Sequence, residues 1–390
     1  MKEINFDNGY FPVDSFEELE TPFYYYDLNL LNLTLKAIKS ATADARNFMV
    51  HYAVKANANH ILLQTIGEAG LGADCVSGGE IEAALEAGIP HDKIVYTGVG
   101  KTDKEINIGL DNDIYCFNIE SVEELEVINA LAKAKDKKAR IAIRINPEIG
   151  AHTHANITTG LAENKFGIAM ADIDRVIDLA ESTEYIEFIG LHFHIGSQIL
   201  DMDDFKGLCD RINDITSHLE SRGILISDIN VGGGLGIDYE DPDNHPIPDF
   251  EKYFAVYREN LRLRPEQTLH FELGRAVVGQ CGSLISRVVY VKQGSLTKFA
   301  ILDAGMTDLI RPALYQAHHL IQNISSRSRE MERYDVVGPI CESSDIFGKD
   351  ILLPLTRRGD FIAIRSAGAY GEVMASCYNC RPLPGAVYSE

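Results

Sequence analysis

Lys55 follows the apolar run Phe48-Met49-Val50-His51-Tyr52-Ala53-Val54, whose β-branched and aromatic residues predict a buried strand. A lysine where such a strand ends does little for solubility. Desolvation there lowers the pKa of an ammonium and suits an amine that forms a Schiff base. A salt-bridged strand-end lysine is the plainer alternative. Glu272 and Arg275, in Phe271-Glu272-Leu273-Gly274-Arg275, end a second strand-like run. A carboxylate there can keep a heteroaromatic nitrogen protonated, and an arginine three residues on can grip an anion with its fork of N–H groups. An ordinary Glu–Arg ion pair explains the same spacing.

Two further clusters carry chemistry. In Val231-Gly232-Gly233-Gly234-Leu235-Gly236, three glycines let backbone N–H groups wrap an anion without interference from Cβ atoms. The spacing is not the dinucleotide fingerprint and no Walker lysine follows, so a single phosphate group is favoured over a nucleotide, with a tight strand-to-helix turn as the alternative. In Leu191-His192-Phe193-His194-Ile195-Gly196-Ser197-Gln198, the i, i+2 histidines share a strand face and could bind zinc. A zinc site would also need Glu272, Asp74 and a carboxylated Lys55. Otherwise one imidazole is a flat surface for stacking on an aromatic ring, and Ser197 is a hydroxyl donor to phosphate.

These residues need a scaffold that brings them together. From Phe48 onward, strand-like segments alternate with amphipathic helical ones such as 122–133 and 204–219. The strands fall at 48–54, 72–76, 93–96, 114–117, 140–145, 188–194, 228–231 and 269–272. Eight such units in about 220 residues predict a parallel (β/α)₈ TIM-type barrel, whose active site lies at the carboxyl ends of its strands. Lys55, Asp74, Arg144, His194, Gly232, Gly233, Gly234 and Glu272 all stand at such ends. Beyond Arg275 the segments 284–292, 298–302, 334–337, 351–355 and 360–365 are short, β-rich and separated by Gly or Pro. They predict a mostly antiparallel C-terminal β domain that also takes in the strand-like N-terminal segment. The expected division is a barrel at 27–272 and a β domain of 1–26 with 273–390.

Composition narrows the function classes. The 390 residues carry a formal charge of −22, which disfavours nucleic acid and anionic membrane surfaces as partners. No apolar stretch approaches the ~20 residues of a membrane span, and the N-terminus has no signal-like apolar segment. Seven cysteines without metal-ligand spacing fit reduced thiols, so a cytoplasmic location is expected. Cys377 and Cys380 form a C-x-x-C, but no βαβ pattern surrounds it.

Five motifs occur in order: Tyr52-Ala53-Val54-Lys55-Ala56-Asn57, His194-Ile195-Gly196-Ser197-Gln198, Gly232-Gly233-Gly234, Glu272-Leu273-Gly274-Arg275 and Cys341-Glu342-Ser343-Ser344-Asp345. Over nearly the whole chain the sequence resembles the pyridoxal-phosphate-dependent basic amino-acid decarboxylases with an alanine-racemase-like barrel. Within that group, the stretches 151–160, 309–315 and 368–371 are most similar to the diaminopimelate decarboxylase family. The resemblance implies a cytoplasmic homodimer with shared active sites and pyridoxal 5'-phosphate held covalently by Lys55. It implies that His194 stacks on the cofactor ring and Glu272 faces its nitrogen. Asp74, Arg144, Ser197, Gly232, Gly233, Gly234, Leu273, Gly274, Arg275 and Tyr370 would complete cofactor binding. Cys341, from the other subunit, would protonate Cα, while Arg275, Arg311, Tyr315, Glu342 and Tyr370 would hold the distal end of the substrate.

The implied reaction is decarboxylation of meso-2,6-diaminopimelate to L-lysine, the last step of lysine biosynthesis. The pair Arg311 and Glu342 agrees with that, because a distal carboxylate and ammonium need one cation and one anion. Alternatives are a decarboxylase of ornithine, lysine or arginine on the same barrel, or a zinc hydrolase. Leu273 stands where the family commonly has proline, and Ser344 where it has glycine.

Overall fold

The computed structural model describes residues 11–147 and 165–389. The stretch 151–160, which contributed to the resemblance, and the first ten residues of the N-terminal segment lie outside the described residues. The chain divides into two compact units, one of residues 34–236 and 249–277, the other of 1–33, 237–248 and 278–390. The segment Ile237–Pro248 thus groups with the β unit.

The first strand, Phe23–Tyr26 (β1), belongs to the β unit. The next eight form a closed parallel barrel: Phe48–Ala53 (β2), Gly72–Cys75 (β3), Ile94–Tyr96 (β4), Cys116–Ile119 (β5), Ala139–Arg144 (β6), Ile186–His192 (β7), Asp228–Asn230 (β8) and Thr268–Leu273 (β9). Closure comes from β9 against β2, with Glu272 paired to His51 and Leu273 to Tyr52. This is the TIM-type barrel expected from the alternation of segments.

Local chemistry starts the helices that follow the strands. Ser77, Thr102 and Ser121 each accept the backbone N–H three residues on, and Thr102 forms a full capping box with Glu105. Asp249 caps in the same manner, while Asn59 and Asp201 accept the N–H two residues on. Two expected strands are displaced by two residues: 188–194 becomes Ile186–His192, which leaves His194 just past its end, and 114–117 becomes Cys116–Ile119, because Asn118 continues the strand with its polar side chain inside the barrel rather than ending it.

Alternation along β9 sends Phe271 outward and His270 and Glu272 inward. Phe271 meets the rings of Phe48, Phe254 and Tyr257 at centroid distances of 5.1, 4.8 and 5.1 Å. It is fully buried, so Phe271→Ala is expected to destabilise the protein by about 3–5 kcal/mol. A guanidinium titration with an unchanged midpoint would contradict this. Inside the barrel, His51 Nε2 meets His270 Nδ1 at 2.9 Å and His270 Nε2 meets Asp228 at 2.7 Å. Tyr115 and Ser227 both donate to Asp228. Burial drives the His51 imidazole down to about 3, so it stays neutral at ordinary pH.

The β unit adds Gly282–Gln293 (β10), Lys298–Leu302 (β11), Ile321–Asn323 (β12), Met331–Val337 (β13), Ile346–Pro354 (β14), Phe361–Ile364 (β15) and Gly385–Tyr388 (β16). Their order is β12-β15-β10-β11-β13-β14, with β1 joining β10 and β16. The pairs are antiparallel except β1 with β16 and β11 with β13. As expected, the N-terminal strand joins this sheet, with Phe23 opposite Ile285. The short strands β12 and β16 are not legible as periodic runs. They form because β15 and β1 offer them an edge. Phe16, Phe23, Tyr25, Ile285, Ile324 and Phe361 pack into one cluster behind the sheet.

Candidate active site

In the barrel unit, the strand-end residues converge as the fold requires. Lys55 sits in the 3₁₀ turn Val54–Ala56 directly after β2. Its Nζ donates to Asp74 Oδ2 on the neighbouring strand at 2.9 Å. The Asp74 carboxylate is fully buried, whereas the lysine side chain is about one-third open. Burial pushes the Asp74 carboxyl up and Glu272 adds to this, while Lys55 and Thr97 oppose it. The ion-pair alternative for Lys55 is thus realised, but with an accessible amine held by a buried carboxylate. That arrangement also suits a reactive amine.

Glu272, on β9, is held by side chains from three other strands. Its Oε1 accepts from Asn118 Nδ2 at 3.2 Å and Asn230 Nδ2 at 2.8 Å, and its Oε2 meets His192 Nε2 at 3.1 Å. Burial alone would raise this carboxyl, but His192, which also hydrogen-bonds it, and Lys55 outweigh it and hold it well below the usual carboxylate range. Glu272 is ionised wherever the protein is folded near neutrality.

His194 follows β7 and accepts the Gly233 N–H on Nδ1 at 3.3 Å, so its proton belongs on Nε2. Burial, then the charges of Arg144 and Lys55, lower its pKa to about 3. It is a neutral ring, as a stacking surface should be. His192 and His194 therefore do separate jobs instead of forming a pair. Among the described residues, no three His, Cys, Asp or Glu side chains could hold a metal ion. Arg144 pairs with buried Glu120 at 2.7 Å, and Glu120 also accepts the Gly167 N–H. It thus adds positive charge near His194 from a fixed position.

The glycine turn packs so closely against neighbouring backbone that no side chain would fit. Gly232 and Gly234 have φ of +69° and +112°, and a Cβ at Gly233 would lie 1.9 Å from the Glu272 carbonyl oxygen. Across from it, Arg275 donates to Ser197 Oγ at 3.0 Å. Leu273 ends β9 and is buried, with Gly274 leading into the helix that starts at Arg275. A glycine-lined turn, a hydroxyl and a buried guanidinium suit a phosphate. A neutral imidazole, an ionised carboxylate and a lysine suit the rest of pyridoxal 5'-phosphate.

The family description "Pyridoxal-dependent decarboxylase, pyridoxal binding domain" matches residues 31–279. The chain is 66% identical over 376 residues to a diaminopimelate decarboxylase of Bacteroides thetaiotaomicron, spanning 96% of this chain and 97% of that protein. The chain belongs to the diaminopimelate decarboxylase family. A relative of the same name from Aquifex aeolicus is 41% identical, over 95% of this chain and 87% of its own length. Among solved structures, the diaminopimelate decarboxylase of Helicobacter pylori complexed with L-lysine superposes with a TM-score of 0.91 at 41% identity, covering 97% of this chain and 94% of that one. Membership makes the chain a PLP-dependent carboxy-lyase, and the barrel residues above fit that cofactor.

The remaining expected site residues, Arg311, Tyr315, Cys341, Glu342 and Tyr370, belong to the β unit. Arg311 is buried, with its guanidinium 5.8 Å from the Tyr315 ring and 5.7 Å from the Tyr239 ring, and it donates to Tyr239 Oη at 3.4 Å. Cys341 and Glu342 are exposed, and Glu342 accepts from Tyr378 Oη at 3.0 Å. Asp345 explains the last position of that motif: it accepts the N–H groups of Ile340 and Met306 at 2.7 and 2.6 Å and pins the turn. Ser344 is not among the described residues with left-handed φ, so the turn does not require glycine there. Tyr370 does adopt a left-handed φ of 56°.

Sequence reasoning missed Thr97, Asn118, Asn230, Tyr239 and Tyr378, and gave His192 no role of its own. Polar residues inside buried strands, as in Cys-Phe-Asn-Ile and Asp-Ile-Asn, were the available signal.

Proposed function

We propose that this chain decarboxylates meso-2,6-diaminopimelate to L-lysine and CO₂, completing lysine biosynthesis in the cytoplasm. The observation that carries the reading is the joint placement of Lys55 on Asp74 and of Glu272 among its donors, in a chain of this family. Lysine, seen bound in the Helicobacter pylori relative, is the product this reaction requires. The acidic composition speaks against nucleic-acid partners, and no helix among the described residues is long and apolar enough to cross a membrane.

When bound, pyridoxal 5'-phosphate supplies an electron sink for the pair left at Cα as CO₂ departs. Lys55 would hold it covalently, with Asp74 keeping the amine in place between turnovers. The turn at Gly232, Gly233 and Gly234, with Ser197, Gly274, Arg275 and Tyr370, would bind its phosphate. His194 would stack on its ring, oriented by the Gly233 N–H, with Arg144 nearby and Leu273 closing the wall beside Glu272. The ionised Glu272 would keep the ring nitrogen protonated. Cys341 would deliver a proton to Cα, and Arg275, Arg311, Tyr315, Glu342 and Tyr370 would grip the distal carboxylate and ammonium. The domains would divide the labour: 27–272 binds the cofactor, and 1–26 with 273–390 builds a homodimer in which each β domain lends Cys341 and Glu342 to the other protomer's barrel.

Borohydride treatment of the cofactor-loaded protein is expected to abolish its visible absorbance and leave the reduced label on Lys55. The same preparation should form lysine and CO₂ in equal amounts from meso-diaminopimelate. Label on another lysine, or faster release of CO₂ from ornithine, lysine or arginine, would overturn the reading.

A further inference from the structure

The barrel interior spends an unusual number of buried polar side chains around one carboxylate. Asn118 and Asn230 are only 1% and 3% exposed, so each amide must be satisfied by protein. Asn118 Nδ2 donates both its protons, one to Glu272 Oε1 and one to Thr97 Oγ1 at 2.9 Å. Thr97 then passes its own proton to Asp74 Oδ1 at 2.7 Å, and Asp74 Oδ2 takes the Lys55 ammonium. Asn230 donates to the same Oε1, while its Oδ1 accepts the Gly232 N–H at 2.9 Å.

The orientation of both amides is determined. Asn230 cannot be turned over, because its Oδ1 already serves a backbone N–H. Asn118 cannot either, because its oxygen would then face the Glu272 carboxylate. Two donors therefore meet Oε1, and the continuous chain Lys55–Asp74–Thr97–Asn118–Glu272 joins the reactive amine to the carboxylate without a place for a shared proton.

We propose that Asn118 and Asn230 are positioning residues for the decarboxylation, whose paired amides hold Glu272 ionised through one oxygen so that the other is presented, beside His192, to the nitrogen of the cofactor ring. This rests on the reading of Glu272 given above. The two asparagines touch neither substrate nor cofactor in this scheme. They act through Glu272, and Asn118 also ties its position to that of Lys55.

The charged and titratable groups facing Glu272 from the packed elements are Lys55 after β2, His51 on β2, Asp74 on β3, His192 and His194 at β7, and Tyr253 from the helix Phe250–Asn260. Lys101 Nζ holds the Asn118 carbonyl at 2.8 Å. A carboxyl placed at 118 or 230 would lie buried beside Glu272, which raises its pKa. It donates when protonated and repels when ionised.

Asn118→Asp keeps the shape of the side chain and makes the donor conditional on pH. Relative to wild type at the same pH, equilibrium dialysis should show pyridoxal 5'-phosphate bound about tenfold or more weakly at pH 8. That deficit should shrink steadily toward pH 6, where the new carboxyl regains a proton. Asn118→Leu has no acid form, and its weaker binding should be independent of pH. Asn230→Asp, which keeps an oxygen for Gly232, should repeat the pH-dependent pattern and decides the matter alone if Asn118→Asp fails to fold in a thermal melt. Equal, pH-independent losses in the Asp and Leu variants overturn the proposal, as does unchanged binding. If wild type also fails to take borohydride label on Lys55, the active-site reading falls. If the label is intact and only the pH signature is missing, the inference about the asparagines alone falls.

Discussion

Lys55→Ala is expected to lose turnover on the order of 10⁴-fold or more, the scale on which removing a covalent catalytic group is felt. It should also purify without the visible absorbance of bound cofactor. The argument is geometric. Lys55 Nζ is the amine beside Asp74, on a side chain open enough to meet a small molecule, at the carboxyl end of a barrel strand. Alanine leaves Asp74 with Thr97 as its hydrogen-bond donor and without its ion-pair partner. Glu272 nearby then favours protonation of Asp74, which burial already raises. The fold should therefore survive, with a small change in melting temperature. Lys55→Arg separates the two roles of this position. A guanidinium keeps the charge and a partner for Asp74 but does not lose its proton in proteins, so it cannot act as the amine nucleophile. Both variants should be equally inactive. Substantial turnover by Lys55→Arg would mean that only the ion pair matters.

Glu272→Gln is expected to lower kcat by about 10²–10³-fold, the size of effect seen when one preorganised electrostatic partner is removed. The carbonyl of the new side chain can still accept from Asn118 and Asn230, so the amide oxygen is drawn to the position of Oε1. Its NH₂ group must then replace Oε2 beside His192 and face the cofactor ring as a donor. His192 can adapt by moving its proton to Nδ1, a buried atom with no hydrogen-bond partner among the described residues. Packing is kept, but the acceptor that would keep the ring nitrogen protonated is gone. Substrate KM should move little, because no proposed substrate contact changes. Wild-type kcat in this variant would remove Glu272 from the mechanism.

Much of this protein was legible before any tertiary contact was known. The eight strands of the barrel come from a local signal, apolar β-branched runs alternating with amphipathic helices. Once the barrel is inferred, its geometry sends Lys55, Asp74, His194 and Glu272 to one end, because side chains at the carboxyl ends of parallel strands must meet there. The turn at Gly232–Gly234 was equally plain, since three glycines in sequence announce a backbone that Cβ atoms would block.

The partners of these residues were decided only by closure of the barrel. Asn118 and Glu272 lie 154 positions apart, and Asn230 and Glu272 lie 42 apart. Which inward-facing side chains share a layer depends on strand tilt and register around the whole ring, information that no short window contains. Tertiary structure likewise grouped Ile237–Pro248 with the β unit, where Tyr239 meets Arg311. It also made strands of Ile321–Asn323 and Gly385–Tyr388, whose own residues carry too weak a pattern to do so without a neighbouring edge to pair with.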